Sequence, residues 1–262
     1  MNRFIYDMLR PQAIGQESQY ARLFDDFCPL VIGFSEEAKT AIVECMKEVA
    51  RVANIPVATE NCRVNMHLLR VENGRETVRT LRRTSPRAAF GNMPLWKRDL
   101  IERREGPVYS WQQILPYGAD TGAPSVFSLV NGGPLDPAAL NFNFIYQNPR
   151  VRTPVTEAFH HSAVMVERGP LEGISAIQLA DSGVMRGLIT AREDRFRDGA
   201  GTADSMLDLF DPTVDPNERL PSLGRMDLAL LTSLYAAPDD VNSNRQHSRM
   251  VKTFKAALGE LE

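Results

Sequence analysis

Residues 28–71, CPLVIGFSEEAKTAIVECMKEVARVANIPVATENCRVNMHLLRV, decide the fold. Residues 28–34 form a short apolar run of strand length. Ser35 then stands where a helix N-cap belongs, with Glu36 and Glu37 in the first turn, facing the positive end of the helix dipole. Ala38, Ile42, Cys45, Val49 and Val52 recur at the spacing of one helix face. Beyond the turn material around residue 60, VNMHLLRV is apolar again. Strand, helix and strand make a βαβ unit, whose two strands run parallel.

Parallel strands place the residues that precede them at the same edge of the sheet, and Cys28 and Cys62 hold those two positions. Neighbouring strands would bring them within disulfide reach, and closing such a loop stabilises a fold by roughly 3 to 4 kcal/mol. A Cys28–Cys62 bond implies an oxidising compartment, and two reduced cysteines are the alternative. Cys45 lies on the helix stripe and reads as a buried free thiol.

The rest of the chain extends this unit. A helix is expected over 74–83, turns over 85–94, a helix over 95–105 and a strand over 108–115. The interval 116–140 holds GADTGAP and NGGPLDP, which is turn chemistry and reads as a long excursion. LNFNFIY (140–146) alternates as a half-buried strand, and AFHHSAVMVE (158–167) reads as another. Helices follow at about 171–189, 203–210, 225–235 and 242–261. The expectation is a single α+β domain over 1–262, with a mixed sheet and a helical C-terminal part from about 171.

At 262 residues and 43% apolar content the chain can bury one large core, and no linker divides it. Its 30 basic and 33 acidic residues give no electrostatic reason for a nucleic-acid partner. The cluster Arg79, Arg82, Arg83 and Arg87 reads as a solvated helix face. No apolar run approaches a membrane span, and MNRFIYDMLR lacks the apolar region of a secretory signal.

Catalytic motifs are incomplete. Asp120-Thr121-Gly122 matches the turn of aspartic proteases, but it does not leave an apolar strand and has no second copy. His67, His160, His161 and His247 offer imidazoles without recognisable metal spacing, and adjacent strand residues such as His160 and His161 should point to opposite faces. The chain has no G-x-S-x-G, C-x-x-C or phosphate-loop motif.

The stretch 163–210 carries a resemblance. AVMVE leads into Ile177-Gln178-Leu179-Ala180-Asp181, followed by Asp204-Ser205-Met206-Leu207. This resembles the strand, H-E-x-x-H helix and methionine turn of metzincin zinc proteases. Ile177 and Asp181 stand where histidines belong, Gln178 stands where the general base belongs, and Met206 takes the place of the turn methionine. Isoleucine cannot ligate zinc, and glutamine cannot take a proton from metal-bound water. With CPLVIGF, NCRVN, IQLADSGVMRGL and MDLALLTSLY, most of the chain also resembles a family of mostly exported alphaproteobacterial proteins without an assigned activity.

These resemblances imply a zincin-like scaffold without metal or cofactor, periplasmic or secreted, with a cytoplasmic location as the alternative. The plain reading has Gln178 and Asp181 hydrogen-bonded to neighbouring backbone beside a core-facing helix side of Ile177, Leu179, Ala180, Val184 and Leu188; the sharper one has Gln178, Asp181 and a nearby histidine line a groove for a peptide or protein partner. The competing expectation is a hydrolase built on His160 or His161 with Asp181.

Overall fold

The computed structural model describes residues 2–14, 17–118, 155–192 and 204–260. Helix α1 (Asn2–Met8) precedes a small antiparallel hairpin, β1 (Gln12–Ile14) and β2 (Glu17–Gln19). The main sheet contains β3 (Arg22–Leu23), β4 (Pro29–Ile32), β5 (Met66–Val71), β6 (Val108–Gly118) and β7 (Val155–Glu167). Its order is β3-β7-β5-β4, with β6 on the other side of β7. All pairings are parallel except β6 with β7. This is the α+β class, with one antiparallel strand on an otherwise parallel sheet.

The βαβ unit forms as the sequence predicts. Ser35 caps α2 (Glu36–Val52) by accepting the Ala38 N–H, and β4 and β5 pair in parallel from Pro29 opposite Met66. Cys28 and Cys62 form a disulfide with their Cα atoms 6.1 Å apart. Within α2 the buried ridge is Ile42, Met46 and Ala50, flanked by half-buried Cys45 and Val49. Val52, expected on that face, is 51% exposed, because the helical period has carried it round by the last turn. Cys45 is a free thiol, partly rather than fully buried, and burial raises its pKa.

Helices cover both faces of the sheet. Met66 and Leu68 of β5, with Val164 and Val166 of β7, join the main core with α2 and α6 (Ala176–Leu188). Gly187 lets α6 approach the sheet, since a Cβ there would lie 2.3 Å from Met66 Cε. Behind α6 lie α7 (Arg225–Ala236) and α8 (Ser243–Glu260). The opposite face carries α3 (Gly74–Thr84), α4 (Pro86–Phe90) and α5 (Leu95–Glu102), around Val78, Phe90, Trp111 and Met165.

Four boundaries differ from expectation. Residues 86–90 form a helical turn with Pro at its start, a position where the missing N–H costs nothing. Strand β6 runs on through Pro116 to Gly118, which shortens the expected excursion; proline is tolerated on an edge strand. Residues 169–171 form a 3-10 turn, and α6 begins only at Ala176. Residues 206–208 form a 3-10 turn rather than a helix, because buried Asp227 accepts from Ser205 Oγ and Met206 N, both at 2.7 Å. The D-T-G turn at 120–122 and the alternating run 140–146 lie outside the described residues.

Candidate functional site

Helix α6 holds the residues singled out by resemblance. Gln178 completes a capping box with Ser175: its N–H donates to Ser175 Oγ, and its Oε1 accepts the Ser175 N–H. Its Nε2 donates to the Leu220 carbonyl at 2.9 Å. Asp181 is buried, accepts the Leu223 N–H at 2.6 Å, and has its pKa raised by burial. Both side chains therefore fasten the 220–223 segment to α6. Ile177 is 49% exposed. Met206 is buried, but its turn meets α6 through Arg186, whose guanidinium donates to the Leu207 carbonyl, more than one turn beyond Asp181.

The histidines assemble at a β-bulge. Gln112 pairs with Ser162 and Ile114 with Phe159, so His160 and His161 together face the single residue Gln113. The extra residue resets the alternation, and His160 and His161 share one side of the sheet, not two as the sequence implies. His161 Nε2 lies 2.7 Å from His67 Nδ1, and Gln113 Nε2 lies 3.3 Å from His161 Nδ1. Burial lowers all three pKa values, and His161 falls furthest, to about 4, with the charges of His67, His160 and Arg63 adding to the effect. His160 Nδ1 is buried without a hydrogen-bond partner among the described residues. His247 sits apart on α8, beside Tyr20.

His67 alternates with Met66 and Leu68, so the His67–His161 pair lies on the sheet face opposite α6 and Asp181. A hydrolytic site joining those histidines to Asp181 would have to pass through the sheet. Among the described residues no group of three or more His, Cys, Asp or Glu side chains could hold a metal ion. Arg79 and Arg82 pair with Glu76, Asp99 and Glu102, as a solvated helix face does.

A further feature is a cleft along β6. Among the described residues β6 pairs on one side only. Beside its free edge lies a cavity of about 340 Å³ that includes Trp111, Gln112 and Ile114 of the strand. One wall is α5, where Trp96 is 55% and Leu100 40% exposed. The other is the paired segment Arg10, Pro11, Thr190 and Ala191, held by the bonds of Arg10 N to Thr190 O and Thr190 Oγ1 to Arg10 O, both 2.9 Å. Gln112 Nε2 donates to the carbonyls of Arg186 and Ile189, anchoring the strand to the end of α6. Sequence reasoning missed this site, although its length and aromatic content were visible in VYSWQQILPYG.

Together these features define an α+β domain whose antiparallel strand β6 has one edge unpaired among the described residues. No family model, curated protein or solved structure matches the chain. No helix among the described residues is long and apolar enough to cross a membrane.

Proposed function

We propose that the protein is a non-catalytic, exported binding protein that takes an extended peptide along β6, on a scaffold related to metzincin proteases whose zinc ligands and base have been replaced. The observation that carries this reading is the edge of β6, eleven residues long and unpaired among the described residues, beside a cleft with exposed Trp96 and Leu100. Backbone groups of an open edge add an incoming strand, and flanking apolar pockets read its alternate side chains. Gln178 and Asp181 support the non-catalytic part by being committed to backbone partners. Their role in this reading is to hold the scaffold, not to touch the peptide. The disulfide supports a periplasmic or secreted location.

A displayed library of random linear peptides, selected on the immobilised protein, tests the reading. Selected peptides should alternate apolar and polar residues, and Trp96→Ala or Leu100→Ala should weaken them roughly tenfold or more, the cost of losing an interface anchor. Selected peptides that bind both variants as tightly as the unaltered protein, or that are cleaved by it, would refute the reading.

A further inference from the structure

Gln113 joins the His67–His161 pair to the wall of the β6 cleft. Its Nε2 donates to the carbonyls of Ala88 at 2.8 Å and Ala89 at 3.0 Å, which fixes which end of the amide is nitrogen. The same nitrogen lies 3.3 Å from His161 Nδ1. An amide nitrogen donates and does not accept, so His161 Nδ1 is bare and the ring proton sits on Nε2. That Nε2–H donates to His67 Nδ1 at 2.7 Å, which leaves the His67 proton on its own Nε2.

The neutral pair is therefore full. A further proton from solvent sets N–H against N–H, either between the two rings or between His161 Nδ1 and Gln113. The contact between the rings is the shorter and becomes charge-assisted when one ring is cationic, so the longer contact to Gln113 is the one that yields. A protonated Nδ1 can keep Gln113 as a partner only by taking its Oε1, and an amide turned that way no longer donates to Ala88 and Ala89. The charges of Arg63 and His160 oppose a cation on His161, and Asp25 acts on His160 in the opposite sense. Arg87, the charged residue of α4, is exposed, and Tyr117 of β6, its pKa raised by burial, stays a neutral phenol in acid.

Release of Gln113 has a path to the cleft. Gln113 and Trp111, whose Nε1 donates to the Ala89 carbonyl at 2.8 Å, hold α4 to the sheet. Gly91, at φ 54°, ends α4 against Gln113, where a Cβ would lie 2.9 Å from Oε1. Arg98 of α5 donates to the Gly91 and Met93 carbonyls, and Met93, Trp96 and Leu100 line the cleft.

We propose that His67, His161 and Gln113 form a proton latch: acid turns Gln113 away from α4, loosens the α5 wall and lets go a peptide held along β6. The release step rests on peptide binding at β6, and the latch itself does not.

Nitrogen NMR of the whole protein tests the latch without a variant. Both rings should carry their proton on Nε2 at neutral pH, and His161 should gain one at Nδ1 on acidification. A protonated His161 Nδ1 at neutral pH would overturn the proposal. The chain has two tryptophans, so Trp96→Phe makes buried Trp111 the sole fluorescent reporter on the wall. Its quenching by acrylamide should rise with a midpoint near the His161 value of about 4, at unchanged far-UV circular dichroism, and His161→Gln should abolish the rise. No rise before the circular dichroism is lost, or an equal rise with His161→Gln, would also overturn it. Relative to His161→Gln, the unaltered protein should bind a selected peptide about twofold more weakly at that midpoint and roughly tenfold more weakly one pH unit below it. Equal affinity of the two proteins throughout refutes the release step. A latch that passes the NMR and quenching tests in a protein for which no peptide can be selected stands, and the β6 reading falls.

Discussion

Asn65 shows how much of the scaffold rests on single polar side chains. Its Oδ1 accepts the Cys28 N–H at 2.8 Å and its Nδ2 donates to the Asp26 carbonyl at 2.7 Å, in a buried position between the two disulfide-linked segments. Asn65→Ala leaves both backbone groups unpaired and should cost about 2–3 kcal/mol in urea denaturation. The histidine pair gives the pH dependence its sign. Because burial holds His161 down to about 4, the folded state stays neutral where the unfolded chain, titrating near 6.5, takes up a proton. Stability is then complete above pH 6.5 and declines as pH falls from 6.5 towards 4, by about 1–2 kcal/mol once solvent screening of a half-buried ring is allowed for. Asp181, raised by burial, acts in the opposite direction. Thermal melts across that range should show the decline, and His161→Asn should flatten it. None of this could be read from the sequence, where His160-His161 looks like ordinary alternation and the bulge depends on the register of a distant strand.

At the scale of elements the sequence was more informative. The βαβ unit was legible because cap, acidic first turn and apolar spacing agree within a few residues, and the disulfide followed from parallel pairing alone. Breaking that bond, by reduction or by Cys28→Ser with Cys62→Ser, should remove about 3 to 4 kcal/mol and lower the melting temperature by roughly 10 °C, measured by circular dichroism with and without reductant. Other elements misled in instructive ways. The start of α6 was signalled by Ser175-x-x-Gln178, a capping-box pattern, yet Gln178 drew attention as a replaced catalytic base. The extension of β6 through Pro116 was hidden because proline and the neighbouring glycine look like turn chemistry, while their tolerance on an edge depends on which side of the strand is unpaired. Gly187→Val should push α6 away from Met66 and cost about 1–3 kcal/mol by overpacking, measured by chemical denaturation.

For the molecule as a whole, the sheet separates the histidines from Asp181, which the sequence reading joins, and the β6 cleft is a third region that it does not contain. Gln178 and Asp181 brace the helical face, the histidines lie on the other side at the bulge, and the open cleft borders β6. Composition and periodicity identified the α+β class, since they report burial averaged over elements. They could not identify the cleft, because an edge strand becomes an edge only through what fails to pair with it. Amide hydrogen exchange of the protein with and without a selected peptide tests the proposed binding mode most directly. Slowed exchange confined to residues 108–118 and the facing α5 is the expected outcome, because an added strand takes up the N–H groups of β6 that are unpaired among the described residues. Unchanged exchange along β6, with protection elsewhere on binding, would contradict strand addition at this edge.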